Sequence, residues 1–144
     1  MKKRIQGVNN WENCINAGCY QYAIGFYTNE YIIVGDIIGK RCKANESDDT
    51  LLYILKEELE TLGYEVKEVD VEYQLKKGEI KIYLQRDEHT GFYHFLRQDN
   101  GIWSHKYPGE MPTTKDSNGE EITNPESMIE PPFYGWCFCL KGAS

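Results

Sequence analysis

Apolar residues recur along the chain with two different periods, and Gly63 separates them. Ahead of it, Trp11, Ile15, Cys19, Tyr22, Ala23 and Phe26 follow the three-and-four spacing of a helix, predicted over residues 11–28. Asn10 is placed to cap it; alternatively Gly18 splits the segment and a second helix starts at Cys19. Tyr31, Ile32, Ile33 and Val34 form a short extended run, closed by turns at Gly35 and Gly39. Ser47 then stands as an N-cap, and Asp48 and Asp49 suit the positive end of a helix. Leu51, Leu52, Leu55, Leu59 and Leu62 make one apolar stripe, while Glu57, Glu58 and Glu60 read as its solvated side.

Beyond Gly63 the period is two. Tyr64, Val66, Val69 and Val71 give an approximate strand, and Ile80, Ile82 and Leu84 share one face of a clearer one. Residues 86–91 read as a polar turn, and the next strand turns Phe92, His94 and Leu96 the same way. Asp99-Asn100-Gly101 signals a tight hairpin, after which residues 102–106 return as the third strand of a meander. A long loop rich in proline, serine, threonine, asparagine and glycine covers residues 108–132. The chain closes on an aromatic strand, with Trp136, Phe138 and Leu140 on one side and Cys137 and Cys139 on the other. Helices in front and antiparallel strands behind define an α+β fold, and 144 residues are enough for one domain, taken as 1–144.

Charge narrows the partners. With 16 basic against 23 acidic residues and a net charge of −7, no broad basic field exists to attract nucleic acid or anionic lipid. The basic start Met1-Lys2-Lys3-Arg4 runs into Ile5-Gln6-Gly7 without the apolar stretch of an export signal, so the expectation is a protein cytoplasmic where it is made, reaching any outside target by another route. Five cysteines, Cys14, Cys19, Cys42, Cys137 and Cys139, cannot all pair with one another, so free thiols are expected. Cys137 and Cys139, with one residue between them, lack zinc-ribbon spacing, and residues 116–121 lack the ligand pattern of a calcium loop. The expectation is therefore no metal and no cofactor.

The scarce histidines point to chemistry. His94 and His105 lie on adjacent predicted strands either side of the Asp99-Asn100-Gly101 turn, where two imidazoles come within hydrogen-bond reach. His89, beside Asp87 and Glu88, reads as solvated. A cysteine at a helix start is favoured as thiolate by the helix dipole and a neighbouring imidazolium, and Cys19 fits that place. Cys14, behind Asn13, is the other candidate nucleophile.

Cys19-Tyr20-Gln21-Tyr22-Ala23-Ile24-Gly25, Gly78-Glu79-Ile80 and the run from His94 to Lys106 together resemble the papain-like cysteine peptidase superfamily, and within it the NlpC/P60 branch. The resemblance covers roughly residues 11–110 and implies N-terminal helices packed on an antiparallel sheet. It implies Cys19 as nucleophile, His94 as general base and then acid, and His105 as the residue that orients His94. The activity implied is a thiol-dependent amide hydrolase acting on a peptide or protein substrate through an acyl-enzyme, with cell-wall peptides as the family's suggestion. Deamidation or acyl transfer on a protein is the first alternative, and a papain-like binding module without catalysis is the second. Tyr20, Tyr22, Tyr93 and Trp103, close in sequence to these three residues, are expected to line the cleft.

Overall fold

The change of period at Gly63 is the point where helices give way to sheet in the computed structural model. It describes residues 8–127 and 133–142; the basic segment 1–4 and residues 128–132 of the long loop lie outside the described residues. Gly18 does split the first helical segment: a 3-10 turn over Val8–Cys14 is followed by α1, Cys19–Ile24. The leucine stripe forms α2, Asp48–Thr61, whose N-cap Ser47 accepts from the Thr50 N–H at 3.2 Å. Leu51, Leu55 and Leu59 are buried beneath it, with Leu52 and Leu62 partly so.

Five strands follow, β1 (Tyr64–Glu68), β2 (Glu79–Asp87), β3 (Tyr93–Asp99), β4 (Ile102–Ser104) and β5 (Phe133–Gly142), in the antiparallel order β1-β5-β2-β3-β4. The expected meander is β2-β3-β4, with Asn100 and Gly101 both at positive φ, 54° and 77°, as a two-residue hairpin requires. The last strand enters the middle of the sheet, between β1 and β2.

Both sheet faces are covered. Ile80, Ile82, Leu84, Phe95 and Leu140 meet Tyr20, Ala23 and Ile24 of α1 and the α2 leucines on one side. On the other, Tyr83, Leu96, Trp103 and Cys137 pack with Ile122 of the long loop. Bridges from His105 to Thr113 and from Lys115 to Glu121 hold that loop.

Three expectations need correction. Residues 31–34 are not a strand: the Ile32 N–H is taken by Gln21 Oε1 and the Ile33 N–H by Asp36 Oδ2, each at 2.9 Å, so side chains replace a strand partner. Arg86 is not in a polar turn but buried in β2, donating to Asp48 Oδ1 at 2.7 Å and to the Ala44, Glu46 and Gly91 carbonyls. Glu58 is not solvated. It is fully buried and accepts from Tyr20 Oη at 2.5 Å and from the Gly35, Ile37 and Ile38 N–H groups at 2.9, 2.8 and 3.2 Å.

Gly35 makes that turn possible. Its φ is +91°, and a Cβ there would lie 1.9 Å from the Lys40 carbonyl oxygen, a rigid backbone atom. Gly35→Ala is expected to cost about 2 kcal/mol or more, read as a lowered urea midpoint. A midpoint unchanged from wild type would contradict this.

Candidate active site

Cys19 is the first residue of α1, and the backbone before it is fixed from two directions. Gln21 Oε1 accepts from the Gly18 N–H at 2.7 Å, and a Cβ on Gly18 would lie 2.6 Å from Tyr31 Cε1, so the Tyr31 ring closes over this point. α1 packs against β3. Because β4 pairs only with Arg97, Gln98 and Asp99, the stretch 93–96 of β3 has no strand on that side among the described residues, and Cys19 lies near its Phe95 backbone. Its sulfur is approached by the N–H groups of Phe95, Tyr20 and Cys19 itself.

His94 and His105 come together as the hairpin predicts: His94 Nε2 lies 2.7 Å from His105 Nδ1. His105 Nε2 lies 2.8 Å from the Lys115 carbonyl oxygen. A carbonyl only accepts, so His105 carries its proton on Nε2 and presents a lone pair at Nδ1. His94 must then donate from Nε2, which leaves His94 Nδ1 unprotonated. A backbone oxygen in the long loop thus sets the tautomer of a ring two hydrogen bonds away. Tyr107 stacks on His94 with centroids 4.6 Å apart and planes 10° apart, and His105 is buried.

Cys19 and His94 line one cavity of about 390 Å³, together with Tyr31, Phe92, Tyr107 and Phe133. Cys19 also lines a second cavity of about 310 Å³, walled by Ile32, Ile33, Tyr31, Phe92 and Tyr93. Of the four aromatic residues expected at the cleft, Tyr93 lines both cavities and Tyr20 one. Tyr22 packs instead with Trp11, and Trp103 lies on the other face of the sheet. The cleft aromatics that sequence proximity missed, Tyr31, Phe92, Tyr107 and Phe133, are all exposed, and Tyr107 had a signal in its place two residues after His105.

The electrostatics differ from the expected thiolate. Cys19 reaches the cleft, yet the protein packed around it desolvates the sulfur and pushes its pKa up to about 11, against the lowering influence of the three N–H groups and of Lys106. A six-residue helix is too short to reverse that. His94 moves the other way, down to about 3, through burial and then the neighbouring His105. His105 is lowered as well, by burial, opposed by its bond to the Lys115 carbonyl. The resting pair is therefore a neutral thiol and a neutral imidazole.

This has a sign for stability. An unfolded histidine takes up a proton below about pH 6.5 whereas folded His94 stays neutral to about 3, so stability present above pH 6.5 is lost as the pH falls toward 3. We expect a loss of about 1.4 kcal/mol per pH unit from His94 across that window. Urea titrations of wild type and His94→Gln at pH 7 and 5 isolate it as the difference between the two proteins, and equal slopes would contradict the burial.

Lys106 was not singled out by sequence. It is fully buried, and its Nζ donates to the carbonyls of Ile15, at 2.7 Å, Ala17 and Tyr107. It ties the segment leading into Cys19 to the one following His105. Among the described residues no carboxylate pairs with it.

The other thiols have other surroundings. Cys14 is buried with Trp11, Ala17 and Tyr22 and lines neither cavity. Cys42 lies in the helix-side core, and Cys137, pushed up to about 12 by burial, in the cluster across the sheet. Among the described residues no group of three or more His, Cys, Asp or Glu is arranged to hold a metal ion, and no helix is long and apolar enough to cross a membrane. His89 is exposed, as expected.

The chain is similar to insoluble matrix shell protein 1 of Ruditapes philippinarum, with 28% identity over 122 residues that cover 82% of this chain and 76% of that protein. No protein-family model and no solved structure matches it.

Proposed function

We propose that the protein is a thiol-dependent amide hydrolase on a single papain-like, NlpC/P60-like domain, with Cys19, His94 and His105 as its catalytic set. The observation that carries this reading is the relay from the Lys115 carbonyl through His105 to His94, which leaves an unprotonated nitrogen on a ring that shares its cavity with Cys19. His94 Nδ1 takes the thiol proton as the sulfur attacks the amide carbon and the S–C bond forms. Backbone N–H groups at the start of α1, that of Cys19 included, stabilise the oxyanion. The C–N bond then breaks, and His94 returns the proton to the departing amine. Water attacks the thioester, giving its proton to His94, and the carboxylic acid leaves as the thiol reforms. Cell-wall peptides are one substrate class the family resemblance suggests; with a protein glutamine as substrate, or another amine or alcohol in place of water, the same intermediate gives deamidation or acyl transfer.

Proton transfer during attack, in place of a preformed ion pair, has a pH signature. Activity needs His94 neutral, and its pKa is about 3, while the Cys19 thiol holds its proton to about 11. The profile of kcat/KM is therefore expected to be level from about pH 5 to pH 9, measured on an internally quenched peptide. An acid limb near pH 6 to 7, as an ordinary histidine gives, would contradict it.

A second reading has one observation in its favour, the similarity to a protein named for an insoluble shell matrix. In that reading the same cleft holds a ligand without reacting with it. Saturable peptide binding with no turnover would select it.

A further inference from the structure

The cleft is asymmetric about Cys19. Both cavities share Cys19, Tyr31, Phe92 and Tyr93, but His94 lines only the larger. In acyl transfer the imidazole hands its proton to the departing nitrogen, so the amine half of a substrate lies in the cavity that holds His94 and the acyl half in the other. We infer that the cleft takes an extended peptide with an apolar residue on the acyl side of the scissile bond and a lysine or arginine on the amine side. The assignment of sides rests on the hydrolase reading above.

The two linings differ in the way this requires. On the acyl side Ile32, Ile33, Cys42 and Ala44 supply apolar wall, and the charged groups among the described residues are Arg41 and Lys43, which disfavour a second cation. Asp36 engages the Arg41 guanidinium at 2.9 and 3.2 Å, so it is not a free receptor for an acidic side chain.

On the amine side Asp87 is the one carboxylate among the described residues, accompanied by Gln85 and Ser117. Its Oδ1 accepts from the His89 and Thr90 N–H groups at 2.7 and 3.3 Å, which fixes the carboxylate and holds it ionised. Around it stand exposed rings, Phe92 at 68%, Tyr107 at 45% and Phe133 at 36%. Aromatic faces beside one carboxylate suit the aliphatic stem and cationic head of lysine or arginine. Half of the exposed large apolar side chains among the described residues, four of eight, line these two cavities. Such concentration marks a surface that meets a ligand.

Two decapeptides of identical composition test this, one with Leu-Lys at its centre and the other with Lys-Leu. Calorimetry uses Cys19→Ala protein, and wild type is assayed for cleavage by mass spectrometry. The Leu-Lys peptide is expected to bind about tenfold more tightly and to be cut between the two residues. Asp87→Asn, which keeps the Oδ1 acceptor of the turn, is expected to remove the preference while a Leu-Gln peptide binds as before. Phe92→Ala is a second variant, at an exposed position where folding is not at risk, and should weaken the Leu-Lys peptide several-fold. Equal binding of the two orders, a preference for Lys-Leu, or no binding would overturn the inference. Selective binding without cleavage would keep the cleft's polarity and reject the hydrolase; cleavage without selectivity would do the reverse.

Discussion

Cys19→Ala is expected to reduce amide hydrolysis to background, a loss of about 10⁴-fold or more, with folding intact by circular dichroism. Cys19 is the cysteine that lines both cavities and shares one of them with His94. Its sulfur also lies at the start of α1, close to the backbone N–H groups of Phe95, Tyr20 and Cys19 itself. Cys14→Ala is the control: Cys14 is buried against Trp11 and Tyr22, and its loss should leave kcat within about twofold. His94→Ala should fall nearly as far as Cys19→Ala, because without the imidazole a thiol whose pKa is about 11 keeps its proton. His105→Ala should fall less, about 10²-fold, since it orients the base and fixes its tautomer without touching substrate. An alanine at position 14 as damaging to kcat as one at position 19 would refute this assignment.

Glu58→Ala is expected to cost about 3 to 5 kcal/mol of stability, a large part of what a domain of this size commonly has. The carboxylate is fully buried on α2 and accepts four hydrogen bonds: the Tyr20 hydroxyl from α1 and three backbone N–H groups of the turn that begins at Gly35. Deleting it leaves the buried Tyr20 hydroxyl and Gly35 N–H and the part-buried Ile37 N–H without an acceptor, while the Ile38 N–H keeps the Gly35 carbonyl at 3.2 Å. Tyr20 directly follows Cys19, so the damage reaches the site as well as the core. Chemical denaturation of both proteins at pH 7 measures the difference, and a loss under about 1 kcal/mol would show that the cluster is not the keystone its geometry describes.

The sequence pattern and the structure agree at several places where a strong local rule governs. The leucine stripe with its Ser47 cap, the alternation of Ile80, Ile82 and Leu84, and the positive-φ turn at Asn100-Gly101 each follow from spacing and residue type alone. The approach of His94 to His105 follows too, because a hairpin register turns two sequence positions into neighbours. Long-range satisfaction was not legible. Glu58, Arg86 and Lys106 look like surface charges in a one-dimensional pattern, and all three are buried because their partners are backbone groups brought in from segments up to 91 positions away. The insertion of β5 between β1 and β2 is likewise a matter of topology that no period encodes. The expected thiolate at Cys19 failed for a related reason: helix-start placement is visible in sequence, whereas the desolvation that outweighs it is not.

The measurement that tests the proposed function most directly is peptide mapping of the protein quenched with acid during incubation with a slowly deacylating peptide ester. An acyl group is expected on Cys19, absent from His94→Ala protein and from protein unfolded before mixing. No adduct on Cys19, or one spread over Cys14, Cys42 and the β5 thiols as in the unfolded chain, would contradict it.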